Sequence, residues 1–296
     1  MLALGFMSGT SMDGIDAALI ETDGETVRRF GATYSSVYKP EEHDLLMRAI
    51  DVARNIKDRH ARPGVLVEAE HFITTAHGEV AIELMAREGL TSGSIDVIGF
   101  HGQTVFHNPQ EALTVQIGDG AQLAHLTNID VVSDFRAADM AVGGQGAPLA
   151  PIFHRALQNY SGFNGANVFV NVGGISNITW ISQSGELIAF DTGPGNVLLD
   201  AWCQRHLNQP FDRDGTLSSS GSVNEEVLRD LLDNPYFSMS PPKSLDKTDF
   251  DLGVLARLNV SDGAATLAAF TARTIASSLG HMPQKPEKWI ICGGGR

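Results

Sequence analysis

At 296 residues the chain exceeds the usual size of a single core, so two domains are expected. Its apolar share of 43% supplies a substantial core, while 35 acidic against 21 basic residues give a net charge of -14, a surface that repels nucleic acid and anionic membrane and leaves a nucleotide to bind locally, through Mg²⁺. The two cysteines, Cys203 and Cys292, match no zinc spacing or disulfide framework, no apolar run reaches transmembrane length and the N-terminus lacks a basic n-region, so a reduced cytoplasmic setting is expected.

Residues 2–36 read as three strands, Leu2 to Met7, Ile15 to Glu21 and Thr26 to Tyr34. Between the first two lies Ser8-Gly9-Thr10-Ser11-Met12-Asp13-Gly14, a turn of small and polar residues. Its backbone N–H groups can crowd round an anion, and its hydroxyls and carboxylates are the groups a phosphate and its metal ion require. An ordinary hairpin turn is the competing reading. Asp23-Gly24 joins the second and third strands. A helix follows over 41–60. A second helix, over 64–89, carries Leu66, Ala69, Ile73, Ala76, Val80 and Leu84 on one face, with Gly89 as its stop. Short strands at Ile95 to Phe100, Leu113 to Ile117 and Ile129 to Val132 run into polar loops, notably His101-Gly102-Gln103-Thr104 and Ser133-Asp134-Phe135-Arg136. In open α/β sheets that edge binds ligands.

The small-residue loop Gly143 to Pro148 lies near a domain junction, with domains expected over 1–133 and 134–296. From Asn167 a strand, a Gly173-Gly174 turn, a strand at Ser176 to Ser182, a second turn and a strand at Glu186 to Phe190 repeat the layout of residues 2–36. The repeat is one of architecture, not residue identity. It implies a duplicated α/β domain with a cleft between the copies. The third strand ends at Asp191-Thr192-Gly193-Pro194-Gly195-Asn196. Helices are expected at 197–205, 223–232 and 263–279, with a loop at 235–250. Leu267, Phe270 and Ile275 read as core, and Asp212-Arg213-Asp214-Gly215 reads as a turn, since it lacks the later ligands of a calcium loop. A last strand, Trp289 to Cys292, enters Gly293-Gly294-Gly295; such a turn normally leads into a helix, so the sequence is expected to be a piece of a longer chain.

No Walker A motif, protein-kinase signature set or H-E-x-x-H is present. Instead, three glycine turns, at 9–14, 173–174 and 293–295, each follow an apolar strand. In that order they resemble the phosphate and adenosine loops of the sugar kinase, Hsp70 and actin superfamily. The runs Gly5 to Gly14, His101 to Thr104, Asp134 to Arg136, Gly143 to Leu149, Phe190 to Asn196 and Cys292 to Gly295 resemble, over nearly the whole chain, the motif set of the anhydro-N-acetylmuramic acid kinase family.

The resemblance implies two actin-like (RNase H-like) domains with an ATP cleft between them, and a cytoplasmic, dimeric enzyme using ATP and Mg²⁺ in cell-wall recycling. It implies hydrolytic opening of a 1,6-anhydro sugar and phosphorylation of O6. Asp191 falls on the family's catalytic aspartate and would deprotonate the attacking water; read by its residues alone it is as well an Asx turn or helix cap. Arg136 matches a sugar-contacting arginine, and a guanidinium suits a carboxylate; a salt bridge to Asp134 or Asp139 is the alternative. Thr104 matches another sugar-side position, with His101, Gln103 and Asp134 beside it, although a histidine at a strand end is commonly structural. Gly9, Thr10, Ser11, Met12, Asp13, Gly14, Ile15 and Asp16 match the ATP-binding segment. Asp13 would hold Mg²⁺ through water, or serve only as a turn residue. Asp16 alternates with apolar neighbours and can face solvent. Gly173, Gly174, Gly293 and Gly294 would approach phosphate or adenosine, unless turn geometry alone explains them. An ATP-switched module without catalysis and a plain sugar or acid kinase are the competing functions.

Overall fold

The computed structural model describes residues 1–9, 12–245, 250 and 252–295. The chain divides into two compact units, 1–149 and 150–296.

The first unit opens with an antiparallel meander, β1 (Leu2–Met7), β2 (Gly14–Thr22) and β3 (Val27–Val37). In β2, Ile15, Ala17 and Leu19 point into the core while Asp16 and Ala18 point out, the period-2 alternation of a half-buried strand. Helices α1 (Pro40–Ala53) and α2 (Leu66–Glu88) follow. The expected helix over 41–60 stops at Ala53, and residues 55–63 form a loop holding Arg59 and Arg62. Helix α2 buries Leu66, Ala69, Ile73, Val80 and Leu84, the large side chains each contributing about 1.5–3 kcal/mol. It ends at Gly89 in the left-handed conformation (φ 65°).

Next come β4 (Val97–Phe100), β5 (Gln103–Asn108), β6 (Leu113–Ile117), α3 (Gly120–Thr127), β7 (Val131–Ser133) and α4 (Phe135–Ala141). The main sheet has the order β3-β2-β1-β4-β7, with β4 and β7 parallel to β1 and its neighbour. Strands β5 and β6 form a separate hairpin. Strand β5 and helix α4 replace what the sequence suggested were loops. The segment 134–149, α4 included, belongs to the first unit.

In the second unit α5 (Ala150–Tyr160) precedes β8 (Asn167–Val172), β9 (Ile175–Ile181) and β10 (Leu187–Pro194). Helices α6 (Val197–Leu207), α7 (Thr216–Ser219), α8 (Glu225–Leu232) and α9 (Val260–Ser277) follow, then β11 (Lys288–Cys292). The sheet order is β10-β9-β8-β11, with β11 parallel to β8. Thus both units place a three-strand meander beside parallel strands in the order 3-2-1-4, the layout of two actin-like (RNase H-like) domains. Leu267 and Phe270 of α9 are buried with Trp202 and Leu228 in a helical core. Asp212 accepts the N–H groups of Leu217 and Ser218, so the Asp212–Gly215 run is a turn that starts α7.

Among the described residues no helix is long and apolar enough to cross a membrane.

Candidate active site

In the first unit the parallel pairing of β4 with β7 sets Phe100 beside Ser133, so the next residues, His101 and Asp134, leave the sheet side by side. Arg136 follows in the first turn of α4. Its Nε–H donates to His101 Nε2 at 2.7 Å and its Nη1 to the Gly146 carbonyl at 2.6 Å. His101 Nδ1 lies 2.7 Å from the Gly102 carbonyl, so the proton sits on Nδ1 and Nε2 is left as the acceptor. Burial, and then the charge of Arg136, depress the His101 pKa to about 4, so the ring is neutral near pH 7. Arg136 pairs with neither Asp134 nor Asp139. Arg59 takes Asp134, and Asp139 accepts the Gly146 N–H at 2.7 Å. Among the described residues Nη2 of Arg136 has no acceptor, and this leaves part of the guanidinium fork unused.

Thr104 stands opposite Gln116 in the β5–β6 hairpin, whose amide donates to the Thr104 hydroxyl at 3.2 Å. Gln103 is fully buried; its amide reaches the Gly9 carbonyl at 3.3 Å, tying β5 to the first glycine turn. Ser8 Oγ donates to the Gly102 carbonyl at 2.9 Å. A cavity of about 390 Å³ lies nearby, lined by Arg59, Arg62, Glu70, His101, Gly118 and Asp134 among others.

In the glycine turn itself, Met12 is buried at φ 52° and its N–H donates to the Gly9 carbonyl. Ile15 is core. Asp13 is exposed, and Asp16 is exposed and accepts the Ser35 hydroxyl at 2.5 Å. A Cβ on Gly14 would lie 2.0 Å from the Ser36 carbonyl, so packing on β3 explains that glycine. Thr10 and Ser11 lie outside the described residues. No cluster of three or more His, Cys, Asp or Glu side chains able to hold a metal occurs among the described residues.

In the second unit, register aligns Asp191 with Asn177, Asn177 with Asn171, and Asn171 with Cys292, one lateral row across β10, β9, β8 and β11. Such neighbours share a sheet face. One or two residues beyond the row, both β8 and β11 run into glycines, at Gly173-Gly174 and Gly293-Gly294. The carboxylate and the two turns therefore stand at one end of one sheet. A bulge follows Asp191, where the β9–β10 register shifts before Gly193.

The glycines differ. Gly293 has φ 91°, and a Cβ there would lie 2.5 Å from the Val172 carbonyl, so turn geometry demands it. Gly174 is not left-handed, and a Cβ would meet only Val197, at 3.9 Å. The carbonyls of Gly173 and Gly174 accept the amides of Asn196, Gly195 and Val197. Among the described residues the N–H groups of both donate to nothing. Two amides with no acceptor among the described residues fit an anionic group such as a phosphate.

Asp191 is half-buried. Its Oδ2 accepts the Leu245 N–H at 2.9 Å, and among the described residues Oδ1 accepts nothing. Burial raises its pKa, while the Leu245 hydrogen bond acts the other way. A carboxylate with one oxygen held, the other open and a raised basicity is equipped to take a proton. It caps no helix, the following one being capped at Asn196, and among the described residues its carboxylate accepts only the Leu245 N–H.

A family model described as anhydro-N-acetylmuramic acid kinase matches residues 1–296. The chain belongs to this family. Proteins named anhydro-N-acetylmuramic acid kinase from Methylobacterium nodulans and Nitrobacter winogradskyi are each 50% identical to it, aligned over 100% of this chain and 82% and 81% of theirs. One from Rhodopseudomonas palustris is 51% identical, over 100% of this chain and 80% of its own. The chain is thus an enzyme, a sugar kinase of the anhydro-N-acetylmuramic acid kinase family.

Several groups around these residues carry no sequence signal. Arg59, which holds Asp134, sits in a stretch the helix reading ran through. Tyr236, Lys243 and Leu245, which surround Asp191, sit in a stretch that reads only as a loop with Pro241-Pro242.

Proposed function

We propose that this chain opens the 1,6-anhydro ring of anhydro-N-acetylmuramic acid with water and phosphorylates O6 from ATP, giving N-acetylmuramic acid 6-phosphate for peptidoglycan recycling. The observation that carries the reading is Asp191, a half-buried carboxylate with one oxygen restrained and one open, at the same end of its sheet as two glycine turns. Water adds its oxygen to the anomeric carbon and gives a proton to Asp191 Oδ1. The bond from that carbon to O6 breaks, O6 forms a bond to the γ-phosphorus of ATP, and the bond from that phosphorus to the β–γ bridging oxygen breaks to release ADP. Asp191 then returns its proton to solvent. Arg136, with Nη2 unspent and its orientation set by His101 and Gly146, takes the lactyl carboxylate. Thr104 supplies a hydroxyl to the sugar. The amides of Gly173 and Gly174 take phosphate oxygens. Asp13 would hold Mg²⁺, which when bound would supply charge neutralisation of the phosphates.

The test is turnover of the sugar with ATP and Mg²⁺ in ¹⁸O-water, read by mass spectrometry. One solvent oxygen at C1 of a 6-phosphate product is the expected result. A phosphorylated product with no solvent oxygen would mean a plain hydroxyl kinase, and ATP binding without product would mean a switch module.

A further inference from the structure

Three backbone and side-chain contacts close a ring around Asp191. The Tyr236 hydroxyl donates to the Asp191 carbonyl at 2.6 Å. The Tyr236 carbonyl accepts from Lys243 Nζ at 3.2 Å. The Lys243 carbonyl accepts the Asp191 N–H at 3.1 Å. Strand β10 is at the edge of its sheet, and residues 243–245 lie along that edge at this one place. Two residues on from Lys243, the Leu245 N–H reaches the Asp191 carboxylate itself. The ammonium of Lys243 also reaches the Phe237 carbonyl at 3.4 Å and lies over the rings of Tyr236, at 4.8 Å, and Phe190, at 5.6 Å. It makes no ion pair among the described residues. A lysine half-buried by aromatic rings and spent on carbonyls costs desolvation that a surface lysine avoids, and burial depresses its pKa.

We propose that Lys243 is a positioning residue for the general base: it pins segment 243–245 against β10 so that the Leu245 N–H holds one carboxylate oxygen of Asp191 and leaves the other turned to the water. This rests on the reading of Asp191 as the base. Lys243 does not touch the carboxylate; it acts through the segment. The hydrogen bond from Leu245 favours the ionised carboxylate and opposes the effect of burial, so the same contact that orients the base also keeps its pKa from rising further. The other titratable groups on this side are His281, whose Nε2 is 3.5 Å from Lys243 Nζ and whose ring edges Phe190, and the Tyr236 phenol, already spent on the backbone.

The experiment is the pH dependence of kcat for the full chain carrying Lys243→Met, Lys243→Arg or Leu245→Pro, with Asp191→Asn as the reference. Lys243→Met is expected to lower kcat about tenfold, leave KM for the sugar within about twofold, and move the acid limb of the profile to higher pH by roughly half a unit or more. Lys243→Arg is expected to restore most of kcat and the limb. Leu245→Pro, which deletes the donor, is expected to move the limb in the same direction. If Leu245→Pro fails to fold, as judged by circular dichroism, the lysine pair decides alone. An acid limb that stays in place in Lys243→Met overturns the proposal, whether or not kcat falls. Full activity in Asp191→Asn would instead remove the reading of the base on which the proposal rests.

Discussion

The two sheets share a strand order and carry opposite chemistry at their strand ends. In the first unit the ends of β4 and β7 deliver a guanidinium, Arg136, held by a neutral imidazole and a carbonyl. In the second the corresponding end delivers a half-buried carboxylate beside the Gly173-Gly174 turn, whose two amides donate to nothing among the described residues. Topology therefore fixes where polar groups emerge and leaves their sign open. Each environment also shifts its own group. Burial and a neighbouring cation keep His101 neutral as an acceptor, and burial makes Asp191 a stronger base. If the comparison is right, damage in the second unit removes turnover, and damage in the first removes affinity for the sugar.

The largest effect expected is that of Asp191→Asn. It keeps the acceptor for the Leu245 N–H and removes the proton acceptor, so kcat should fall by roughly 10²–10⁴-fold. Affinity for ATP should be unchanged by calorimetry. The fold should be as stable or more so near neutral pH, since the carboxylate pays for burial when ionised. Activity of the wild type should fall as pH drops through the raised pKa of Asp191, so burial should place the acid limb higher than for a solvent-exposed aspartate. Next in size is Arg136→Met. Losing a charge-assisted hydrogen bond worth about 1.5–3 kcal/mol should raise KM for the sugar roughly 10- to 150-fold, with a smaller change in kcat. A variant that instead loses kcat at constant KM would break the division of labour.

The glycine turns sharpen the comparison further. Gly174→Ala meets only Val197 and asks for no left-handed backbone, so thermal stability should hold while KM for ATP rises several-fold. Gly293→Ala puts a methyl against the Val172 carbonyl at φ 91°, so it should destabilise the second unit by about 1 kcal/mol or more. The pair separates a glycine kept for a ligand from one kept for a turn.

The meanders were readable because apolar strands alternate and end in glycine, and Leu66 to Leu84 of α2 because one face repeats at helical spacing. Asp191, Arg136 and Thr104 stood at strand ends next to small residues, where motif resemblance has something to hold. Strand β5 was hidden because His101-Gly102-Gln103-Thr104 reads as a polar loop; its pairing comes from β6, opposite Gln116, which local propensity does not record. Helix α4 has seven residues and buries none of them fully, so no periodic signal exists. The ring of Tyr236, Lys243 and Asp191 was invisible for a different reason: its bonds run mostly to backbone carbonyls, and any sequence has those.

The smallest effect concerns stability, and it comes from a core histidine packed on Phe100, one residue before His101. His77, in the middle of α2, is fully buried between the edges of Phe6 and Phe100, at ring-centroid distances of 5.2 and 4.9 Å. Its Nδ1 bonds the Ile73 carbonyl at 2.7 Å, and its Nε2 has no partner among the described residues. Burial depresses its pKa from 6.5 to about 4. Between those values the unfolded chain binds a proton that the native one does not, so stability falls as pH drops below 6.5 and levels off below about 4. The shift corresponds to about 2 kcal/mol lost by pH 5. His77→Leu deletes both the titration and the orphan nitrogen, at the cost of edge contacts worth about 0.5–1.5 kcal/mol. It should thus be slightly less stable than wild type at pH 7.5 and no worse, or better, at pH 5. Hydrogen exchange on the α2 and β4 amides is the measurement, because it reports the first unit alone. Parallel pH profiles for the two proteins would assign the acid sensitivity of that unit to other groups, His101 first among them.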